Sequence, residues 1–258
     1  MKSKIIAIIN EKGGVAKTTT AYTLANGLKQ RGFNVLAIDL DPQANLTSTF
    51  KGANYESKKT IMQALAGVID ASDAIQKLEQ ADLITSNRTL AGADALLQET
   101  GKEYKLKELL DPIRSFYDFI IIDTAPSISI LTINALTASD FVIIPVKADA
   151  YSLQGMEQLN ETIKAVKKYT NKKLIVAGVL ITHYTKRSPQ ERELKGLFER
   201  LAKALKTKVY KTTIRNAGAI FKRSIATQES IFKIDATNGA SVDYNEFIKE
   251  LLEDLNKY

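Results

Sequence analysis

The chain has 258 residues, 45% of them apolar, and a net charge of +7. That length gives one α/β domain or two small ones with room for a sizeable core. There is no cysteine, which excludes disulfides, thiolate metal sites and iron–sulfur clusters and suits the cytoplasm; no apolar run approaches the ~18 residues of a membrane span.

Met1 to Asn10 is a short apolar run that leads straight into a loop without a cleavage site, so it reads as a strand (Lys4–Asn10) and not as a signal peptide. Lys17–Arg31 follows as a helix ended by Gly32, and Asn34–Leu40 as the second strand, with Asp39 and Asp41 at its carboxyl end. Lys51–Pro112 is more polar and predicts several helices around a short strand at Asp82–Thr85. Asp118–Asp123 and Phe141–Val146 are continuous apolar runs, hence buried strands. Then come a helix over Gln154–Tyr169, a strand over Lys173–Ile181, a charged amphipathic helix over Pro189–Leu205, a last strand over Lys208–Ile214 and a final helix over Tyr244–Leu255. Strands alternating with helices predict an α/β fold, a mostly parallel twisted sheet with helices on both faces. No Pro/Gly/Ser linker interrupts it, so residues 1–258 are expected to form a single domain.

The chemistry concentrates between the first strand and the first helix, in Asn10–Ala21, N-E-K-G-G-V-A-K-T-T-T-A. A strand–loop–helix unit of this kind is the setting of a P-loop. Gly13 and Gly14 let the backbone turn and approach phosphate oxygens. The amides of Gly13, Gly14, Val15, Ala16, Lys17, Thr18 and Thr19 are expected to form an anion nest at the helix N-terminus. Lys17 is then expected to reach the β- and γ-phosphates and the Thr18 hydroxyl to ligate Mg²⁺. The strict G-x-x-x-x-G-K-[ST] pattern is broken, because Glu11 and Ala16 stand at its glycine positions. A methyl group at Ala16 predicts negative φ there, as at a helix start.

K-G-G-V-A-K-T-T resembles the deviant Walker A motif of the ParA/MinD ATPases. V-L-A-I-D-L-D-P-Q-A-N-L-T (Val35–Thr47) resembles the Walker A′ segment of the partition branch, and F-I-I-I-D-T-A-P-S-I (Phe119–Ile128) its Walker B strand and following switch. V-Y-K-T-T-I-R-N (Val209–Asn216) resembles the segment that borders the adenine. The resemblance spans nearly the whole chain and implies a P-loop NTPase that takes ATP and Mg²⁺. It implies that Lys12 crosses a dimer interface to the phosphates of the other subunit, supplying charge where the γ-phosphate is otherwise poorly compensated. It makes Asp41 the residue that positions or activates the attacking water, and it places Asp39 and Asp123 in the magnesium shell. Pro42, Gln43 and Thr124–Ser129 become γ-phosphate switches, and Arg215 and Asn216 become adenine-pocket residues. The family reads I-P-R-N in that last segment; here no proline precedes Arg215, which leaves the register open by one residue. With no arginine finger evident, slow basal hydrolysis is expected.

Charge bears on partners. From Lys164 to Arg223 there are 17 Lys/Arg against three acids, so the rest of the chain is net acidic. This predicts a polyanion-binding surface, with Lys203, Lys206, Lys208, Lys211, Lys222 and Arg223 as candidate DNA contacts. The leading reading is an ATP-dependent DNA-partition ATPase. Its ATP-bound homodimer would bind DNA non-specifically by joining two basic surfaces, and a ParB-like centromere-binding partner would stimulate hydrolysis and release it, so that the protein is cytoplasmic and nucleoid-associated. The short stretch before the first strand leaves no helix-turn-helix, so operator binding is not expected. A MinD-like membrane ATPase should end in a basic amphipathic helix, whereas the tail here carries Glu246, Glu250, Glu253 and Asp254, and no membrane binding is expected. A bacterial tyrosine kinase lacks its tyrosine cluster here. A small-molecule ligase or transferase, or a protein cargo in place of DNA, remains open. The lone His183 makes no metal site and is read as a surface or strand-end residue, and the Tyr and Phe residues as core.

Overall fold

A computed structural model describes residues 3–204 and 206–258. Seven strands form one sheet: β1 (Lys4–Ile8), β2 (Val35–Leu40), β3 (Ile75–Gln76), β4 (Asp82–Ile84), β5 (Phe119–Thr124), β6 (Phe141–Lys147) and β7 (Ile175–Thr182), in the order β3-β4-β2-β5-β1-β6-β7. All neighbours pair in parallel except β3 with β4. The two-residue β3, too short to leave a sequence signal, caps that edge antiparallel.

The strands are buried on both faces because both are covered. One face packs Ile5, Leu36, Ile120, Val142 and Val179 in one core; the other packs Ile6, Val35, Phe119, Phe141 and Leu180 in a second. That two-sided burial is what the unbroken I-I-A-I and F-I-I-I runs require. The helices used below are α1 (Lys17–Gln30), α2 (Asn45–Thr49), α3 (Ile130–Ala138), α4 (Ala150–Tyr169), α5 (Pro189–Ala204), α6 (Gly218–Thr227) and α7 (Gly239–Leu255). Helix α7 buries Tyr244, Phe247, Ile248, Leu251 and Leu255 against the second core, so the acidic tail is a packed helix. Among the described residues no helix is long and apolar enough to cross a membrane.

The expected last strand over Lys208–Ile214 is not one. This segment runs beside β7 and joins it only by isolated bridges, Val179 to Val209 and Tyr184 to Arg215. Part of its polar backbone turns away from the sheet: the amides of Lys211 and Thr212 donate to the Glu250 carboxylate of α7. Tyr and Phe are largely core as expected, but Tyr55, Phe116, Tyr151, Tyr169 and Tyr258 are exposed.

Gly178 in β7 shows how closely this segment packs. A Cβ there would lie 2.5 Å from the ring of Tyr210, which is fully buried against Phe247. A rigid aromatic ring cannot yield as a chain end would, so overpacking of this kind costs about 1–3 kcal/mol. Gly178→Ala is expected to lower the unfolding free energy by that amount in urea titration, with an unchanged m-value.

Candidate functional site

Parallel order places the carboxyl ends of β1, β5 and β2 side by side. In register, Ile8 of β1 faces Asp123 of β5, and Asp123 faces Asp39 of β2. The loop from Glu11 to Ala16 leaves β1 above them and enters α1. Its start is tied down by Asn10, whose side-chain amide donates to the Pro145 carbonyl (2.7 Å). Its far side is held by the Thr182 hydroxyl, 3.1 Å from both the Val15 and the Val146 carbonyl oxygens, while the Val15 side chain is fully buried. The loop is thereby braced from β6 and β7 before any ligand arrives.

Within it Gly14 has φ +69° and Ala16 φ +65°, ψ +33°. The negative φ expected for Ala16 is therefore overturned. The chain bends left-handed just before Lys17 where the loop turns into α1, and the closure of that turn overrides the preference of an L-residue. Placing a Cβ in this region costs about 1–2 kcal/mol. Ala44, which enters α2 after the Asp41–Ala44 turn, repeats the pattern at φ +54°.

Beneath the loop the charges are buried. Asp123 is fully buried and neither carboxylate oxygen has a hydrogen-bond partner among the described residues. Burial pushes its carboxyl well above the usual range, the Asp39 charge adds to this, and the Thr18 hydroxyl, lying near it short of a normal hydrogen bond, and Lys17 counter it. Lys17 is itself buried; burial lowers its ammonium, Asp123 and Asp41 raise it, and its Nζ donates to the Lys12 carbonyl at 3.0 Å.

Asp39 departs from the magnesium-shell role. Its Oδ1 accepts from the Asp41 amide (3.0 Å) and its Oδ2 from the Thr47 amide (2.7 Å) and hydroxyl (2.8 Å). Burial pushes its carboxyl up to about 6 in spite of those bonds. Asp39 is the anchor that fixes the 41–47 loop, and both its oxygens are engaged in doing so. Asp41 lines the cavity instead; its Oδ1 takes the Gln43 amide (2.8 Å) and its carbonyl the Ser86 hydroxyl (2.8 Å).

Lys12 turns back onto its own chain. Its Nζ donates to both oxygens of Asp149 (2.7 and 2.6 Å) and lies 5.5 Å above the Tyr151 ring. Asp149 caps α4 through the Ser152 amide.

A cavity of about 460 Å³ opens beside the loop, lined by Gly13, Gly14, Ala16, Lys17, Thr18 and Thr19 on one side and by Tyr22, Phe221 and Ile225 on the other. The expected adenine residues do not line it. Arg215 forms a bidentate ion pair with Asp243 (2.7 and 2.9 Å), and Asn216 lies beside His183 at the end of β7, in a separate shallow recess. The apolar wall comes from α1 and α6 instead. The period of A-I-F-K-R-S-I could have announced α6 but not that it faces this loop.

The candidate DNA residues fall in two places. Lys222 and Arg223 are exposed on α6, next to the cavity wall. Lys203 and Lys206 are exposed near the start of β7 with Lys208, and Lys211 lies between the two groups. Lys208 is no free cation: it pairs with Asp254 and lies 3.8 Å from Glu250.

A glycine-bearing loop at a helix N-terminus, a buried ammonium and an unpartnered carboxylate beside a hydroxyl fit a polyphosphate with a divalent cation. No group of three or more His, Cys, Asp or Glu able to hold a metal occurs among the described residues. A cation is therefore expected to rely on phosphate oxygens and water, with Thr18 and Asp123 completing the shell, as Mg²⁺ prefers.

Residues 3–176 match the AAA_31 family, an AAA domain. The sporulation initiation inhibitor protein Soj of Bacillus subtilis (strain 168) is 41% identical over 214 residues, 82% of this chain and 83% of Soj. The chromosome partitioning protein ParA of Caulobacter vibrioides is 35% identical over 220 residues, 82% of this chain and 80% of ParA. Among solved structures, cobyrinic acid a,c-diamide synthase from Mycobacterium smegmatis, seen with ADP and magnesium and with an ATP analogue and magnesium, superposes with TM-score 0.84 at 31% identity, covering 98% of this chain and 96% of that one.

Two substitutions test the geometry without ligand. Asp123→Asn removes an unpartnered buried charge and is expected to raise the unfolding free energy of the free protein by about 1–3 kcal/mol, read by urea denaturation at neutral pH. Ala16→Gly relieves the left-handed strain, partly offset by the greater freedom of glycine in the unfolded chain, for a net gain of about 0.5–1 kcal/mol.

Proposed function

The chain belongs to the ParA/Soj family of deviant Walker A ATPases, and from that premise we propose that it is a DNA-partition ATPase whose ATP-bound dimer holds DNA non-specifically. The observation that carries this is the unpartnered Asp123 set with Thr18 and Lys17 beneath the amide nest. Buried polar groups left without partners are uncommon and mark sites built for something else.

ATP lies in the cavity with its base against Tyr22, Phe221 and Ile225 and its phosphates over Gly13–Thr19. Thr18 and Asp123 would hold a Mg²⁺ ion, which would supply charge neutralisation to the phosphates. Lys17 leaves the Lys12 carbonyl for the phosphates. Asp41, at the cavity edge and fixed by the Asp39 anchor, orients water toward the γ-phosphate; hydrolysis of this kind is mostly positioning. The loop between Asp41 and Thr47 and the segment after β5 report the γ-phosphate. Lys12 exchanges Asp149 for the partner subunit's phosphates, which ties dimerisation to ATP. The exposed cations of residues 164–223 provide the DNA surface, and a ParB-like centromere-binding protein stimulates hydrolysis at the dimer. The protein acts in the cytoplasm on the nucleoid, on plasmid, chromosome or protein cargo.

A second reading has support of its own: the similarity to a cobyrinic acid a,c-diamide synthase covers nearly the whole chain, so a small-molecule ligase or transferase activity on the same ATP site is the alternative. The basic block separates the two, since amide synthesis has no use for a polyanion surface.

Duplex DNA binding is measured without nucleotide, with ADP, with ATP and with a slowly hydrolysed analogue. Binding is expected only with ATP or the analogue, weakening by more than tenfold between about 50 and 200 mM salt. It should persist in Asp41→Ala, with hydrolysis reduced by at least about a hundredfold, and fall at least tenfold in Lys12→Ala. Absence of DNA binding in every nucleotide state, with nucleotide bound, refutes the partition reading in favour of the ligase or transferase.

A further inference from the structure

The end of β6 meets the phosphate loop more closely than its spacing in sequence suggests. Pro145 receives the Asn10 side chain, Val146 shares the Thr182 hydroxyl with Val15, and Asp149 holds Lys12. The remaining polar side chain of this stretch is Lys147, the last residue of β6.

Lys147 is partly buried and forms no ion pair with any described residue. Its Nζ lies over Gly14: a Cβ built on that glycine would stand 3.8 Å from it. Gly14 has φ +69°, within the loop that leads into α1. The imidazole of His183, pushed down chiefly by burial, is pushed further by the nearby Lys147 charge, so it offers that lysine no counter-charge. The carboxylate nearest in sequence, Asp149, is occupied by Lys12 and by the Ser152 amide. Asp41 and Asp123 face Lys17. An ammonium above a phosphate-binding glycine, with its surrounding carboxylates committed elsewhere, is short of an anion.

We propose that Lys147 is a further polyphosphate-binding residue, reaching the phosphates of a nucleotide held by its own chain from the side of the loop opposite Lys17. The inference rests on the nucleotide reading given above. Lys17 rises from the floor at the start of α1, Lys147 comes over Gly14 from β6, and the two flank the amide nest. Because Lys147 is supplied in cis, its contribution does not need the dimer, in contrast to that of Lys12. The main strand β6 carries it on a backbone paired with both β1 and β7, so little ordering is lost when it binds. A lysine reads phosphate as a point charge, and the contact strengthens with the number of phosphates beyond the first.

The test is the dissociation constant of fluorescent ADP, ATP and AMP for the full chain, measured in a Lys12→Ala background at concentrations where that protein is monomeric. Lys147→Ala is expected to weaken ADP and ATP by about tenfold and AMP by less than threefold, with Lys147→Arg restoring most of the affinity. The loss should shrink as salt is raised from about 50 to 300 mM. Circular dichroism and urea midpoints of Lys147→Ala should match the parent. Lys17→Ala runs alongside as the check on the site. Unchanged ADP affinity in Lys147→Ala, with binding lost in Lys17→Ala, overturns the Lys147 inference and leaves the nucleotide reading standing. Equal losses for AMP, ADP and ATP also overturn it, since they mark a structural effect. Full binding by Lys17→Ala overturns both.

Discussion

The site depends on two carboxylates buried as neighbours. Asp39 and Asp123 are register partners at the ends of β2 and β5, and neither reaches water. Two such charges in a low-dielectric setting oppose each other. The fold resolves the conflict unequally. Asp39 receives two amides and a hydroxyl and becomes the fixed post of the following loop. Asp123 receives nothing of normal geometry. All the unmet demand for positive charge is thereby concentrated at one point beneath the phosphate loop, where Lys17 meets part of it and a bound cation meets the rest.

Strain is distributed the same way. Both loops that border the cavity enter their helices through left-handed alanines, Ala16 before α1 and Ala44 before α2. Neither helix has a side-chain cap at that point; in α2 the Thr47 amide is taken instead by Asp39, eight residues earlier. Left-handed alanine persists only where the surroundings over-determine it. Here the Asn10, Thr182 and Asp39 hydrogen bonds do so, from β6, β7 and β2. The free energy held in these turns comes from the packed sheet, whose two cores leave its strands no freedom to follow a relaxing loop.

Much of this was legible in the sequence. The strand runs are unbroken apolar stretches, and a sheet covered on both sides demands them. The loop is legible because glycine, lysine and threonine at that spacing have little other use after a strand. Other features were not legible for physical reasons. The backbone at Ala16 answers to the turn that joins the loop to α1, not to its own side chain. Asp39 reads as a metal ligand because carboxylates at strand ends often are; its partner Thr47 lies eight residues on, and only the folded turn brings it back. Arg215 was placed by analogy of position, while Asp243 of α7, close in space and distant in sequence, claims it. Lys208 counts in any charge sum yet is neutralised by Asp254. The helix α6 supplies the apolar wall, and nothing local says which cavity a helix will face.

The segment from Lys147 to Ser152 then gains a meaning that its composition does not announce. It ends a central strand, starts a twenty-residue helix and touches the phosphate loop at each step. The Lys12–Asp149 pair within it is about one third exposed on both sides, and such pairs hold about 0.2–1 kcal/mol. That is enough to keep a flexible lysine in one place and too little to compete with a polyphosphate in a closed interface, where charge-assisted bonds are roughly twice as strong as neutral ones. In the dimer proposed above, the pair would be a parking position, keeping the Lys12 charge on Asp149 until a partner's phosphate takes it. Asp149 remains useful afterwards, because the helix cap through Ser152 does not depend on Lys12. On that proposal a single carboxylate would serve the folded chain before and after the exchange, and the weakness of its bond to Lys12 is what would allow it.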